Sequence, residues 1–190
     1  MEIIAKGQEL NLDIASKQET GSASFYFGAG WDNPNGPVDL DMVIVALRGG
    51  KLTSDSDLAY YAKRDAIKGV FLSEDNQTGD GDGDDEHVIV QEPNLDPDVD
   101  GLVIGLACYS DGVDFANAPN PHFRGCDGDK EDSPQIADVP AGSGKAGDTV
   151  LVGFHLTKGS NDEWSVKNDG LFYAKGNGVD SIKGFGELFK

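Results

Sequence analysis

Between Glu74 and Glu86 the chain reads Glu-Asp-Asn-Gln-Thr-Gly-Asp-Gly-Asp-Gly-Asp-Asp-Glu, seven carboxylates and three glycines with no basic residue among them. Crowding like charges into one short loop is unfavourable unless something positive sits between them. The glycines at 79, 81 and 83 free the backbone to turn carbonyl oxygens inward. Hard oxygen donors on a flexible backbone suit Ca²⁺, which takes roughly 6 to 8 oxygens in irregular geometry, whereas Mg²⁺ demands a near-octahedral shell and keeps its waters. The loop is not an EF-hand. Started at Asp75, the EF-hand pattern puts Glu86 at the closing position but Gln77 and Gly79 on ligand positions and Asp80 on the glycine position. Started at Asp80, it puts Asp85 on the glycine position and Gln91 in place of the closing glutamate. The plainer alternative is a hydrated acidic loop with no ion.

A second acidic feature precedes it. Asp39 and Asp41 open the run Val38 to Leu47, which is otherwise apolar. In an extended strand two residues two apart project to one face about 7 Å apart, while Val38, Leu40 and Met42 point to the other. Acids at the start of an apolar strand are costly to bury unless paired or metal-bound, so both are candidate ligands; a solvent-facing strand end is the bland alternative. The two features act together only if the fold brings strand and loop to one place. Asp111 and Asp127-Gly128-Asp129 are further oxygen donors of the same kind.

The elements that must position these acids read as strands. Gln8 to Ile14 alternates with period two, Ser24 to Ala29 is aromatic, and apolar runs at Gly69 to Leu72 and His87 to Gln91 flank the acidic loop. Leu102 to Tyr109 is the central-strand candidate; Thr149 to Leu156 and Glu163 to Lys167 follow, the latter with Trp164 facing inward. Ser54 to Tyr61 could begin a short helix or a strand, and reads best as a loop entering a strand at Leu58 to Ala62. The stretch Ser110 to Ala146 is rich in Gly, Pro, Asp, Asn and Ser and reads as a long loop with a short strand near Gln135 to Ala137. The tail through Phe185 gives one more strand or a short helix. Short strands separated by turn formers, without a long segment of helical period, predict an all-β fold, a two-sheet β-sandwich, in one domain spanning 1–190.

With 34 acidic against 15 basic residues, the 190-residue chain carries a formal charge of −19. Such a charge opposes compaction unless cations offset it, and it argues against nucleic acid and anionic membrane surfaces as partners. Neither a secretory leader pattern nor an apolar run of membrane-spanning length stands out, so the expectation is a soluble, cytoplasmic protein without membrane insertion. Cys108 in its apolar run reads as a buried free thiol and Cys126 as part of a polar loop, with a disulfide between them as the alternative. A zinc site from both cysteines and His122 lacks a fourth ligand and the usual spacing. His87, His122 and His155 accompany no nucleophile in a recognisable motif, so an enzyme is not expected.

Gly30-Trp31-Asp32, Asp39-Leu40-Asp41 and Asp75-Asn76-Gln77-Thr78-Gly79 through Gly81-Asp82-Gly83-Asp84-Asp85-Glu86 together resemble, in order and spacing, the TerD family of tellurite-resistance and stress proteins. Ser54 to Asp57, Ser110-Asp111 and the Glu163-Trp164 strand extend the similarity over nearly the whole chain. The resemblance implies a β-sandwich with calcium-binding loops at one end and no established catalysis. Its implied Ca²⁺ ligands are Asp32, Asp39, Asp41, Asp75, Asn76, Thr78, Gly79, Gly81, Asp84, Asp85 and Glu86, some through backbone carbonyls. After Asp111 the chain departs from the pattern, with Asp114-Phe115-Ala116-Asn117-Ala118-Pro119-Asn120-Pro121 and the Cys126 segment where the family has an Asn-Phe-Gly stretch. Two function classes follow. One is a non-enzymatic Ca²⁺-binding stress-response module whose ordered loops or sandwich faces engage an unidentified protein. The other is a structural component of a larger assembly, such as a phage virion or tail, in which Ca²⁺ only stabilises.

Overall fold

A computed structural model of the chain describes residues 3–12 and 23–190. Among the described residues eleven strands form two antiparallel sheets, as the alternation predicts: β1 (Glu9–Leu12), β2 (Ser24–Gly30), β3 (Leu40–Leu47), β4 (Leu58–Ala59), β5 (Val70–Leu72), β6 (Glu86–Gln91), β7 (Gly101–Cys108), β8 (His122–Asp127), β9 (Gln135–Val139), β10 (Val150–Lys158) and β11 (Trp164–Tyr173). The larger sheet runs β1-β11-β10-β7-β3-β4 and the smaller β5-β6-β2-β8-β9. Between them Phe25, Phe27, Leu40, Met42, Ile44, Val88, Val90, Ile104, Phe123, Phe154 and Trp164 form the main core, with Trp164 facing inward as expected.

Among the described residues one α-helix, α1 (Val179–Glu187), lies on the outer face of the larger sheet. Its Ile182 and Phe185 cover Val43, Val45, Val103, Ala107, Val150 and Val152. Strands β3 and β7 are therefore buried on both faces along their whole length, which is why they read as unbroken apolar runs rather than alternating ones. Of the two readings left open for the tail, the helix is the one formed. Gly184 and Gly186 lower its intrinsic propensity, so packing on the sheet stabilises it.

Three local readings change. The expected strand at Leu58 to Ala62 is only Leu58–Ala59, entered through a 3-10 turn at Asp55–Asp57. The long loop from 110 to 146 contains a whole strand, β8, which takes a central place in the smaller sheet between β2 and β9. Cys126 accordingly sits buried in β8 and not in a polar loop; both cysteines are buried and free. Asp13 and Ile14 of the first expected strand lie outside the described residues.

The topology leaves one place beside β3 for the acidic loop. β4 pairs only with Ile44 and Val45, so among the described residues the first half of β3 has β7 on one side and no strand on the other. There the Met42 amide donates to Glu86 Oε2 at 2.8 Å, across from the smaller sheet.

Candidate metal centre

Three successive acids at the end of the acidic loop go to three different places. Glu86 opens β6 in register with Ala29, on the same inward face as Val88 and Val90. Its carboxylate, with the residue only 3% exposed, takes the Met42 amide on one oxygen and the Asn76 amide on the other at 3.1 Å. Asp85 accepts from the Trp31 amide at 2.8 Å and from Asn76 Nδ2 at 2.9 Å. Asp84 turns to the outer face of the smaller sheet, over Gly28, where a Cβ would stand 2.0 Å from Asp84 Oδ2. Only glycine leaves that space.

Glu86 and Asn76 thus pin the loop against β3, and this brings Asp75 to Asp39 and Asp41. One carboxylate oxygen from each of the three lies within 4.8 Å of the others. Asp41 is 1% exposed. Asp39 Oδ1, both oxygens of Asp41 and Asp75 Oδ1 are buried without a hydrogen-bond donor. The acids two apart in sequence do share a site with the loop, as the sequence required of any joint function. Burial and the neighbouring Asp75 push the Asp39 carboxyl up to about 6. Burial, with Asp39 and Asp75 alongside, pushes Asp41 up to about 8. Burial raises Glu86 to about 8 as well, against the lowering effect of its two amide donors. Two like charges at such a separation repel by on the order of 3–4 kcal/mol at an effective dielectric of about 20. Four orphaned hard oxygens in one cluster have the donor chemistry of a metal-ion site, and Asp39, Asp41 and Asp75 are the residues that would hold the ion, with Glu86 beside them.

The other residues of the ligand set implied by the resemblance stand around this cluster in different roles. Asn76 Oδ1 accepts from the Thr78 amide, the Thr78 hydroxyl and the Gly79 amide, closing the turn of the loop. Thr78 Oγ1 in turn accepts from the Asp80 amide. Gly79 is buried at φ +66 against the Trp31 indole, where a Cβ would meet the ring at 2.5 Å. Gly81 and Asp32 are exposed, and Asp32 contributes to raising the Asp85 carboxyl after burial, the larger cause. Asp111 and Asp129 are exposed and stand outside the three-aspartate group.

Asp84 is held by partners that the sequence did not single out. Its side chain has 0% exposure and accepts from Tyr26 Oη at 2.9 Å and from Arg124 Nη2 at 2.8 Å, with His122 Nε2 at 2.9 Å from its other oxygen. Arg124 also reaches Glu131 at 3.2 Å. Burial works to raise the Asp84 carboxyl, but the bonds from His122, Arg124 and Tyr26 outweigh it and hold it at about 2. His122 and Arg124 sit on β8, the strand hidden inside the apparent loop, so their sequence context gave no sign of a partner for Asp84. The one available signal was an arginine in an acidic neighbourhood.

With this geometry in view, the comparisons with known proteins are specific. The stress response protein SCP2 of Bacillus subtilis is 26% identical over 198 residues, covering 95% of this chain and 94% of that protein. The tellurium resistance protein TerD of an Alcaligenes species is 26% identical over 181 residues, covering 91% of each. In three dimensions, a homologue of the telluride resistance protein TerD from Streptomyces coelicolor superposes with a TM-score of 0.68 at 17% identity, covering 82% of this chain and 93% of that one. A protein of unknown function superposes with a TM-score of 0.70 at 22% identity, covering 86% and 98%. These two likenesses establish the sandwich. The TerD domain model matches residues 1–180, and the chain belongs to the TerD domain family.

Proposed function

We propose that this protein is a non-enzymatic Ca²⁺-binding module of the stress-response type, in which the ion orders the acidic loop against β3 for interaction with another protein. The observation that carries this reading is the set of four buried, donorless carboxylate oxygens on Asp39, Asp41 and Asp75. Leaving such atoms unpaired in the interior is costly, and a divalent cation supplies the missing partner to all of them at once. When bound, Ca²⁺ contributes the positive charge; the chain contributes the preformed spacing, because Glu86 and Asn76 fix the loop through backbone amides. The stress-response and tellurium-resistance relatives are consistent with this class.

Calorimetric titration with Ca²⁺ tests it. Asp39→Asn together with Asp41→Asn keeps size and oxygen atoms but removes two charges from the cluster, and affinity should fall at least about tenfold, or ~1.4 kcal/mol. Asp80→Asn together with Asp82→Asn removes the same formal charge from exposed positions of the same loop and should change affinity by less than about twofold. Equal losses in the two double variants would mean that general negative charge, and not the buried cluster, attracts the ion.

A further inference from the structure

The two outer faces of the sandwich are treated differently. That of the larger sheet is covered by α1. That of the smaller sheet has no helix on it among the described residues, and beside its polar Asp84–Arg124 pair it carries an apolar row. Phe71 on β5, Ile89 on β6 and Tyr26 on β2 stand opposite one another in register, all pointing away from the core. Their flanking residues show the direction: Val70, Val88, Val90, Phe25 and Phe27 lie in the inter-sheet core. Tyr26 is buried and stacks on His87 with ring centroids 5.1 Å apart. Ile89 is half-buried, and Phe71 is 48% exposed. The row is therefore an apolar shelf, open at β5 and β6 and closed toward β8.

Asp84 and Glu131 lie near enough to Tyr26 and His87, beside this shelf, to act on both electrostatically, and further carboxylates stand on the adjoining segments. Glu74 follows β5 after Ser73; Asp80 and Asp82 lie exposed on the acidic loop; Asp129, Glu131 and Asp132 lie exposed on the β8–β9 turn. The acidic loop and the turn are joined above the face, because Arg124 bonds both Asp84 and Glu131. Lys130 is the one cation within these two segments. An apolar centre with an acidic rim on a chain of charge −19 is complementary to a cationic surface with an apolar side. The same charge opposes a second copy of this chain, an anionic bilayer and a nucleic acid.

We propose that the outer face of the smaller sheet, centred on Phe71 and Ile89, docks a basic amphipathic segment of a partner protein. This extends the interaction half of the proposed function and is separate from its cation half, since the shelf is built on β2, β5 and β6 and not on the aspartate cluster. The side chain of Phe71 is the anchor, and the acidic rim provides attraction and orientation.

The test uses the full chain with Ca²⁺ held constant and a fluorescein-labelled synthetic peptide of leucine and lysine patterned to give one apolar helical face. A scrambled peptide of identical composition has no such face. Fluorescence anisotropy should show the patterned peptide binding at least about tenfold more tightly than the scrambled one, with Phe71→Ala removing that advantage. Ile89→Thr, which keeps a β-branched residue in the strand, should remove most of it. Leu171→Ala, at a position 42% exposed on the other sheet, should leave it within about twofold. Asp129→Lys with Asp132→Lys should weaken both peptides and flatten the salt dependence. Equal affinity for the two peptides, or equal effects of Phe71→Ala and Leu171→Ala, would overturn the proposal. So would a dimer of the chain dispersed by Phe71→Ala, which would identify a second copy as the occupant. Loss of Ca²⁺ binding in calorimetry with peptide discrimination intact would sink the cation reading and leave this one standing.

Discussion

At the scale of single residues, the acids of the loop and of β3 separate into carboxylates whose charge is answered and carboxylates whose charge is not. Asp84 has Arg124, Tyr26 and His122; Asp41 has only burial and two further aspartates. Stability should follow pH accordingly. Asp39, Asp41 and Glu86 have folded pKa values raised to about 6, about 8 and about 8, so in the metal-free protein the native state holds protons that the unfolded chain has already released. Where the native state binds more protons, stability falls as pH rises. Melting of the metal-free protein should therefore drop by at least ~5 °C between pH 4.5 and 8.5, while saturating Ca²⁺ should remove most of that slope. Parallel curves with and without Ca²⁺ would show that the cluster does not hold the ion. The Asp84 carboxyl has the opposite sign: held low, it contributes stability above its ordinary pKa, and that contribution is lost as pH falls through about 2. Its pair with Arg124 is tested by substitution. Arg124→Met leaves a buried carboxylate with a reduced set of partners and should cost about 3 kcal/mol in chemical denaturation. The double variant Asp84→Asn, Arg124→Met should cost clearly less, since no charge is stranded.

At the scale of elements, the site exists because β3 is longer than the strand that covers its edge. With β4 reaching only Ile44 and Val45, the amide of Met42 is left for a side chain, and Glu86 arrives from the other sheet to take it. The strand that positions Asp41 is also clamped from outside by α1, whose Phe185 is fully buried in the same cluster as Val43. Phe185→Ala should cost about 3–5 kcal/mol in denaturant unfolding by opening a cavity over β3, β7 and β10. If cation binding at the aspartate cluster depends on a rigid β3, the same variant should also weaken Ca²⁺ binding in titration although it touches none of Asp39, Asp41 and Asp75. A loss of stability under 1 kcal/mol would show that the helix is only loosely docked.

At the scale of the whole molecule, the excess of acid is distributed unevenly: an unpaired group at Asp39, Asp41 and Asp75, exposed carboxylates on the acidic loop and the β8–β9 turn, and ion pairs such as Arg48 with Asp57 elsewhere. Removing bound Ca²⁺ with a chelator should lower the melting temperature, and Ca²⁺ should restore it better than Mg²⁺ at equal ionic strength. Monovalent salt added to the same ionic strength reproduces screening alone and should recover only a minor part. Full recovery by monovalent salt would reduce the effect to general repulsion.

The sandwich was legible in the sequence because strand burial writes itself into the chain with period two, as in β6, or as an unbroken apolar run where both faces are covered, as in β3 and β7. Asp39, Asp41 and the loop from Glu74 to Glu86 were legible for a related reason: acids placed against apolar strands violate the local pattern and so call for a cause. Family membership was legible from the order of those same short stretches. Tertiary structure alone decided which acids meet. Asp75 joins Asp39 and Asp41 across 34 residues of sequence, while Asp84, two residues from Glu86, faces the opposite side and finds an arginine 40 residues away. Side chains alternate across a strand, so neighbours in sequence part company in space, and strand β8, whose His-Phe-Arg-Gly-Cys-Asp lacks both a long apolar run and a clean alternation, was visible only once its neighbours β2 and β9 were in place.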